Sequence, residues 1–100
     1  MNEIEKMLNI EQKERNDKFY KISKLFREVG FNIVTSVNGI SFVNDNTDLK
    51  ASFYVDDTLS YQGYITSDLD KHINYSTSGS DKNVVNAADD FIDAFLRYIP

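Results

Sequence analysis

Cysteine and tryptophan are absent from this chain, and its 100 residues include one histidine, one proline and four glycines. Without cysteine there is no disulfide framework, no thiol nucleophile and no thiolate metal site. A lone imidazole, His72, removes histidine clusters. Four scattered glycines cannot build a glycine-rich phosphate loop, and no G-x-S-x-G elbow is present. The apolar runs are a few residues long, far below the roughly 20 that span a bilayer. The opening stretch MNEIEKMLNIEQKERN is charged throughout, where a secretory leader would carry an apolar stretch. The expectation is a cytoplasmic protein with no cofactor, no metal and no catalysis of its own. With 41% apolar residues, the length suits one compact domain spanning 1–100.

Positive charge is also scarce, and unevenly so. Residues 1–30 hold seven Lys/Arg and six Asp/Glu, a balance of +1, whereas residues 31–100 hold four bases against ten acids, a balance of −6; together these give the net −5. All ten of those acids are aspartates. A phosphate backbone is bound by clustered lysine and arginine, so direct nucleic-acid binding is disfavoured. A basic protein partner is favoured instead. Eight lysines against three arginines, with ten asparagines, match the bias of AT-rich coding DNA in low-GC bacteria and their mobile elements.

Periodicity divides the chain. Residues 2–29 read as helix: Ile4, Met7 and Leu8 form one apolar patch, and Phe19, Ile22, Leu25, Phe26 and Val29 a longer one at three- and four-residue spacing. The polar stretch EQKERNDK between them carries i,i+4 pairs in the better order, Glu11 with Arg15, Glu14 with Lys18 and Asp17 with Lys21. One long helix is the preferred reading, bent or frayed near Asn16; a second helix capped by Asn16 or Asp17 is the alternative. Gly30 stands where a helix C-terminal glycine belongs.

From Phe31 the period becomes two. Phe31, Ile33, Thr35 and Val37 share a face, Asn38-Gly39 is the dipeptide that type I′ turns prefer, and Ile40 and Phe42 resume the inward set. After a turn at 45–48, Leu49, Ala51, Phe53 and Val55 face the core against Lys50, Ser52 and Tyr54. YQGYIT and HINYST are read as the fourth and fifth strands. Ser80 or Asp81 is the expected cap of a last helix, whose buried face is Val84, Ala88, Phe91, Ile92, Phe95 and Ile99. The fold class is therefore α+β: a long N-terminal helix, an antiparallel meander of about five strands and a C-terminal helix, with both helices on one face of the sheet.

This order is similar in topology to the double-stranded-RNA-binding domain. That family carries a lysine cluster at the start of its final helix, where this chain reads SDKNVVNAADD, so no function is carried over. The D-x-D-x-H run of Asp68, Asp70 and His72 has neither the glycine nor the glutamate of a calcium loop. The outward sheet face, which includes Tyr54 and Tyr64 among small polar residues, has the composition of a recognition surface and equally that of an ordinary half-solvated sheet.

Aspartates in turns cap backbone N–H groups and need no further purpose. What capping leaves unexplained is the near absence of bases from the same segments, because solubility is served by interspersed signs. The expected function is a non-catalytic acidic inhibitor, encoded by a phage or mobile element. It would block the basic nucleic-acid site of a bacterial defence or DNA-processing protein by mimicking the nucleic acid. In size, acidity and lack of motifs it resembles anti-CRISPR and anti-restriction proteins. Its expected partner-binding residues are Asp56, Asp57, Asp68, Asp70, Asp89, Asp90 and Asp93, with Tyr54 and Tyr64 as anchors. One alternative is an immunity protein or antitoxin that neutralises a nuclease. Another is a homo-oligomeric assembly protein that dimerises through Ile4, Met7 and Leu8. No membrane association is expected.

Overall fold

Thirteen residues of every hundred here are aromatic, and the phenylalanines among them join the elements. The computed structural model describes residues 3–45 and 48–99, with side chains described for 13–45, 48–80 and 82–99. Helix α1 (Glu3–Glu28) is followed by strands β1 (Asn32–Thr35), β2 (Gly39–Asp45), β3 (Leu49–Asp56), β4 (Tyr61–Ser67) and β5 (Asn74–Gly79). A 3₁₀ turn at Asp81–Asn83 leads into α2 (Val84–Tyr98). The strands form one antiparallel sheet in sequence order, β1-β2-β3-β4-β5. Among the described residues, no helix is long and apolar enough to cross a membrane.

The strict alternation in β3 sets the layers. Leu49, Ala51, Phe53 and Val55 are buried, and the register aligns Phe53 with Phe42 on β2 and with Gly63 on β4. Both helices cover this face. From α1 come Ile22 and Phe26, and from α2 come Val84, Ala87, Ala88, Phe91, Ile92, Ala94 and Phe95, all buried. Phe26 stacks on Phe42 at 4.6 Å and meets Phe31, Phe53 and Phe91 at 4.9, 5.3 and 5.9 Å. Phe31 adds an edge contact to Phe95 at 4.8 Å, and Phe53 one to Phe91 at 5.2 Å. Offset and edge-on ring pairs of this kind contribute about 0.5–1.5 kcal/mol each beyond the burial of their area. One ring cluster therefore ties α1, β2, β3 and α2 together.

The expected fold class holds, and several local expectations are corrected. The β1–β2 turn has Val37 and Asn38 at its centre, with Thr35 opposite Ile40 and Ser36 N–H donating to the Gly39 carbonyl at 2.8 Å. Neither central residue has positive φ, so this is not a type I′ turn at Asn38-Gly39, and Val37 is fully exposed where an inward position was expected. Gly39 instead opens β2, where a Cβ would run into the Val55 carbonyl oxygen, the Asp56 Cα and the Tyr54 ring. Close approach, not turn conformation, calls for glycine there. Gly30 does serve as expected: its φ is +87° and its N–H closes onto the Arg27 carbonyl after α1. The fifth strand begins at Asn74 and runs to Gly79, two residues later than HINYST. Neither Ser80 nor Asp81 caps α2: Asn83 holds the N-cap position, with no side-chain cap bond. Ile99 lies beyond the helix and is 38% exposed, while Ala87 and Ala94 complete the buried face.

Candidate functional site

An antiparallel meander sends alternate turns to opposite ends of its sheet, and this distributes the aspartates. Asp45 and Asp48 in the β2–β3 connection lie at the same end as Asp68 and Asp70 in the β4–β5 connection, as the pairing of Leu49 with Ser67 requires. Asp56 and Asp57 lie at the other end, beside the β1–β2 turn, where Asp57 N–H donates to the Asn38 carbonyl at 2.9 Å. Asp89, Asp90 and Asp93 are exposed on α2, in the helix layer. Tyr54 and Tyr64 point from the opposite, uncovered face of the sheet. The nine residues expected to bind a partner thus fall into four separate regions.

Two of these aspartates serve their own turns. Asp56 Oδ1 accepts from the Thr58 N–H at 2.9 Å, the Thr58 hydroxyl at 2.7 Å and the Ser60 N–H at 2.9 Å. Partial burial raises the Asp56 carboxyl, and the bonds from the Thr58 hydroxyl and the Ser60 and Thr58 amides outweigh it, leaving the pKa below its ordinary value of 3.8. Asp70 Oδ1 accepts from His72 N–H at 2.9 Å, and Ser67 Oγ accepts from the amides of Leu69 and Asp70 at 3.2 and 3.1 Å. Asp68 faces Lys50 Nζ across 3.4 Å, with both side chains more than half exposed. An ion pair that open to water contributes little. Among the described residues, no group of three or more His, Asp or Glu side chains is arranged to hold a metal ion.

The α2 carboxylates differ from these. Among the described residues, no hydrogen bond or ion pair engages Asp89, Asp90 or Asp93. Asp89 borders a groove of about 430 Å³ between the helices, floored by Leu25 and Val85 and flanked by Lys21, Lys24 and Glu28. Its surroundings are therefore of mixed sign, which counting charges along the chain did not reveal. Asp90 and Asp93 turn the other way, toward β5, and with Tyr75 and Arg97 line a second groove of about 480 Å³. Burial raises the Tyr75 pKa first, and the Asp90 carboxylate adds to the rise, against the opposing pull of Arg97. This junction of strand and helix was not anticipated. A signal was available: Tyr75 falls on the inward parity of HINYST, and Asp90, Asp93 and Arg97 share one stripe of the last helix.

Tyr54 and Tyr64 lie on the uncovered face of the sheet, as expected. The register aligns Val34, Ser41, Tyr54, Gln62 and Ser78 in one row across the sheet and Asn32, Val43, Ser52, Tyr64 and Ser76 in the next. Val34 and Tyr64 are about half exposed, at 54% and 50%, and neither row contains a charge. The Tyr54 ring is partly spent in covering Gly39. The patch Ile4, Met7 and Leu8 lies on α1 outside the residues whose side chains are described. Compared with protein-family models, with curated proteins and with solved structures, the chain matches none of them at a significant level.

Proposed function

We propose that this chain is a non-catalytic binding domain that presents α2 carboxylates to a basic protein and inhibits it by occupying its nucleic-acid site. The observation that carries this reading is the division among the aspartates. Asp56 and Asp70 are used in holding turns, whereas Asp89, Asp90 and Asp93 sit exposed on a packed helix and, among the described residues, make no hydrogen bond or ion pair. Carboxylates carried on a packed helix stand in for phosphates without first ordering the backbone that bears them, and they attract a cationic groove even with Lys21, Lys24 and Arg97 nearby, because they remain exposed. The reading narrows the expected surface: Asp89, Asp90 and Asp93 form its centre, and Asp56 and Asp70 leave it. A partner of this kind is a bacterial defence or DNA-processing protein, as expected for an inhibitor of the anti-CRISPR or anti-restriction type.

The test uses two affinity columns, the native chain and the triple variant Asp89→Lys, Asp90→Lys, Asp93→Lys, loaded with the same bacterial lysate at low salt. The expected result is a basic nucleic-acid-binding protein retained by the native chain and absent from the variant. An identical set of proteins on both columns would refute the reading and transfer attention to the sheet face around Tyr54 and Tyr64.

A further inference from the structure

Each strand of an antiparallel pair alternates residues that bond to its neighbour with residues whose N–H and C=O point the other way. Here the phase is fixed at two turns, where Ser36 N–H donates to Gly39 and Asp56 N–H donates to Ser60. Carried across the register, this phase pairs Tyr61 with Gly79, Gly63 with Thr77 and Ile65 with Tyr75 as the bonded couples between β4 and β5. Asn74, Ser76 and Ser78 consequently direct three N–H and three C=O groups away from the sheet. Among the described residues, no other segment bonds to them.

An open edge invites another strand, and folded proteins usually blunt it with lysine, proline or a bulge. β5 reads NYSTSG, with no charge and no proline. The opposite edge, β1, is four residues long and directs only Ile33 and Thr35 outward, and Thr35 shares a groove with Arg15 and Phe19 of α1. The two edges therefore differ in length and in surroundings. Along β5, the groove of Tyr75, Asp90, Asp93 and Arg97 runs on the helix side, where every second side chain of an added strand would lie.

We propose that the free edge of β5 receives an extended segment of a basic partner as a sixth strand, with a lysine or arginine of that segment seated beside Tyr75 between Asp90 and Asp93. This rests on the basic-partner reading above and names how the partner is held. The backbone groups of Asn74, Ser76 and Ser78 supply bonds that any extended segment can use, and the groove supplies the selectivity. Two carboxylates face one guanidinium, so the groove retains a negative charge that an incoming cation satisfies. A second copy of this chain is disfavoured. A two-fold β5–β5 pairing would lay the two α2 helices side by side and set Asp90 and Asp93 against their own counterparts.

The experiment is an NMR titration of the ¹⁵N-labelled chain with the peptide TKTKTKT, terminally blocked, and with its counterpart TETETET. The expected result is that the lysine peptide alone shifts the amides of Asn74, Ser76 and Ser78 and slows their exchange with solvent. Asp90→Asn with Asp93→Asn should weaken it about tenfold, in line with the loss of a charge-complementary contact. Ser76→Pro, which deletes the central outward N–H at an edge position that tolerates proline, should abolish the β5 shifts, and Ser76→Ala should retain them. Shifts confined to α2 would overturn the sixth-strand proposal while leaving the basic-partner reading in place. Equal binding of the glutamate peptide, or no binding of either, would overturn the proposal. Protection of the β5 amides that grows with protein concentration alone would assign the edge to a second copy and overturn it as well.

Discussion

At the scale of single residues, two positions show how local conformation and burial compete. Leu59 has φ +65° and is buried at 1% exposure. It occupies the left-handed position of the β3–β4 turn, normally taken by glycine or asparagine at a saving of about 1–2 kcal/mol. Burying a leucine side chain contributes about 1.5–3 kcal/mol, which is enough to hold the strained backbone. Leu59→Ala loses the burial and keeps the strain, whereas Leu59→Gly loses the burial and relieves the strain. Urea denaturation should therefore rank the glycine variant above the alanine variant, the reverse of the order found in helices and strands. Asp56 gives a prediction in pH. Its folded pKa is depressed, so its contribution is present above the ordinary value of 3.8 and lost as pH falls below it and through the folded one. Asp56→Asn should lower stability at pH 7 by about 1 kcal/mol, and the gap from the native chain should narrow as acid unfolding is approached.

At the scale of elements, the glycines separate turn geometry from close approach. At Gly30 an added Cβ meets nothing within 4 Å, and only the φ of +87° opposes it, so Gly30→Ala should cost about 1 kcal/mol. At Gly39 the obstacles include backbone, the Val55 carbonyl and the Asp56 Cα at 2.8 Å, which cannot rotate away. Gly39→Ala should cost more, about 2–3 kcal/mol, with the β1–β2 hairpin showing the earliest loss of amide protection. This element also marks where sequence reading stops. The Asn38-Gly39 dipeptide signals a turn, but the need for glycine arises from Tyr54 and Val55, fifteen or more positions away. By contrast, the face assignment of β3 was legible because its inward and outward residues alternate without a break. The start of α2 was obscured because Ser80-Asp81-Lys82-Asn83 winds into a 3₁₀ turn, which moves both expected caps out of position.

At the scale of the whole molecule, the acidity is a matter of placement more than of total charge. Summing residues 31–100 suggested one negative surface, whereas the meander sends its turns to two ends and α1 brings Lys21 and Lys24 beside Asp89. The topology of the sheet was itself legible, so the separation of the turns followed from it; the approach of α1 lysines to α2 depended on helix packing that no local pattern reveals. What survives as a candidate surface is the outer stripe of α2 and its junction with β5. Because that stripe is exposed, Asp89→Lys, Asp90→Lys and Asp93→Lys should each change stability by no more than about 0.5 kcal/mol, and thermal unfolding would check this. The claim that these carboxylates stand in for nucleic acid is tested most directly by competition between this chain and duplex DNA for the retained partner, measured across a range of salt concentrations. The two should exclude one another, and affinity for the chain should fall steeply as salt rises. A ternary complex of partner, DNA and chain, or an affinity indifferent to salt, would contradict the claim.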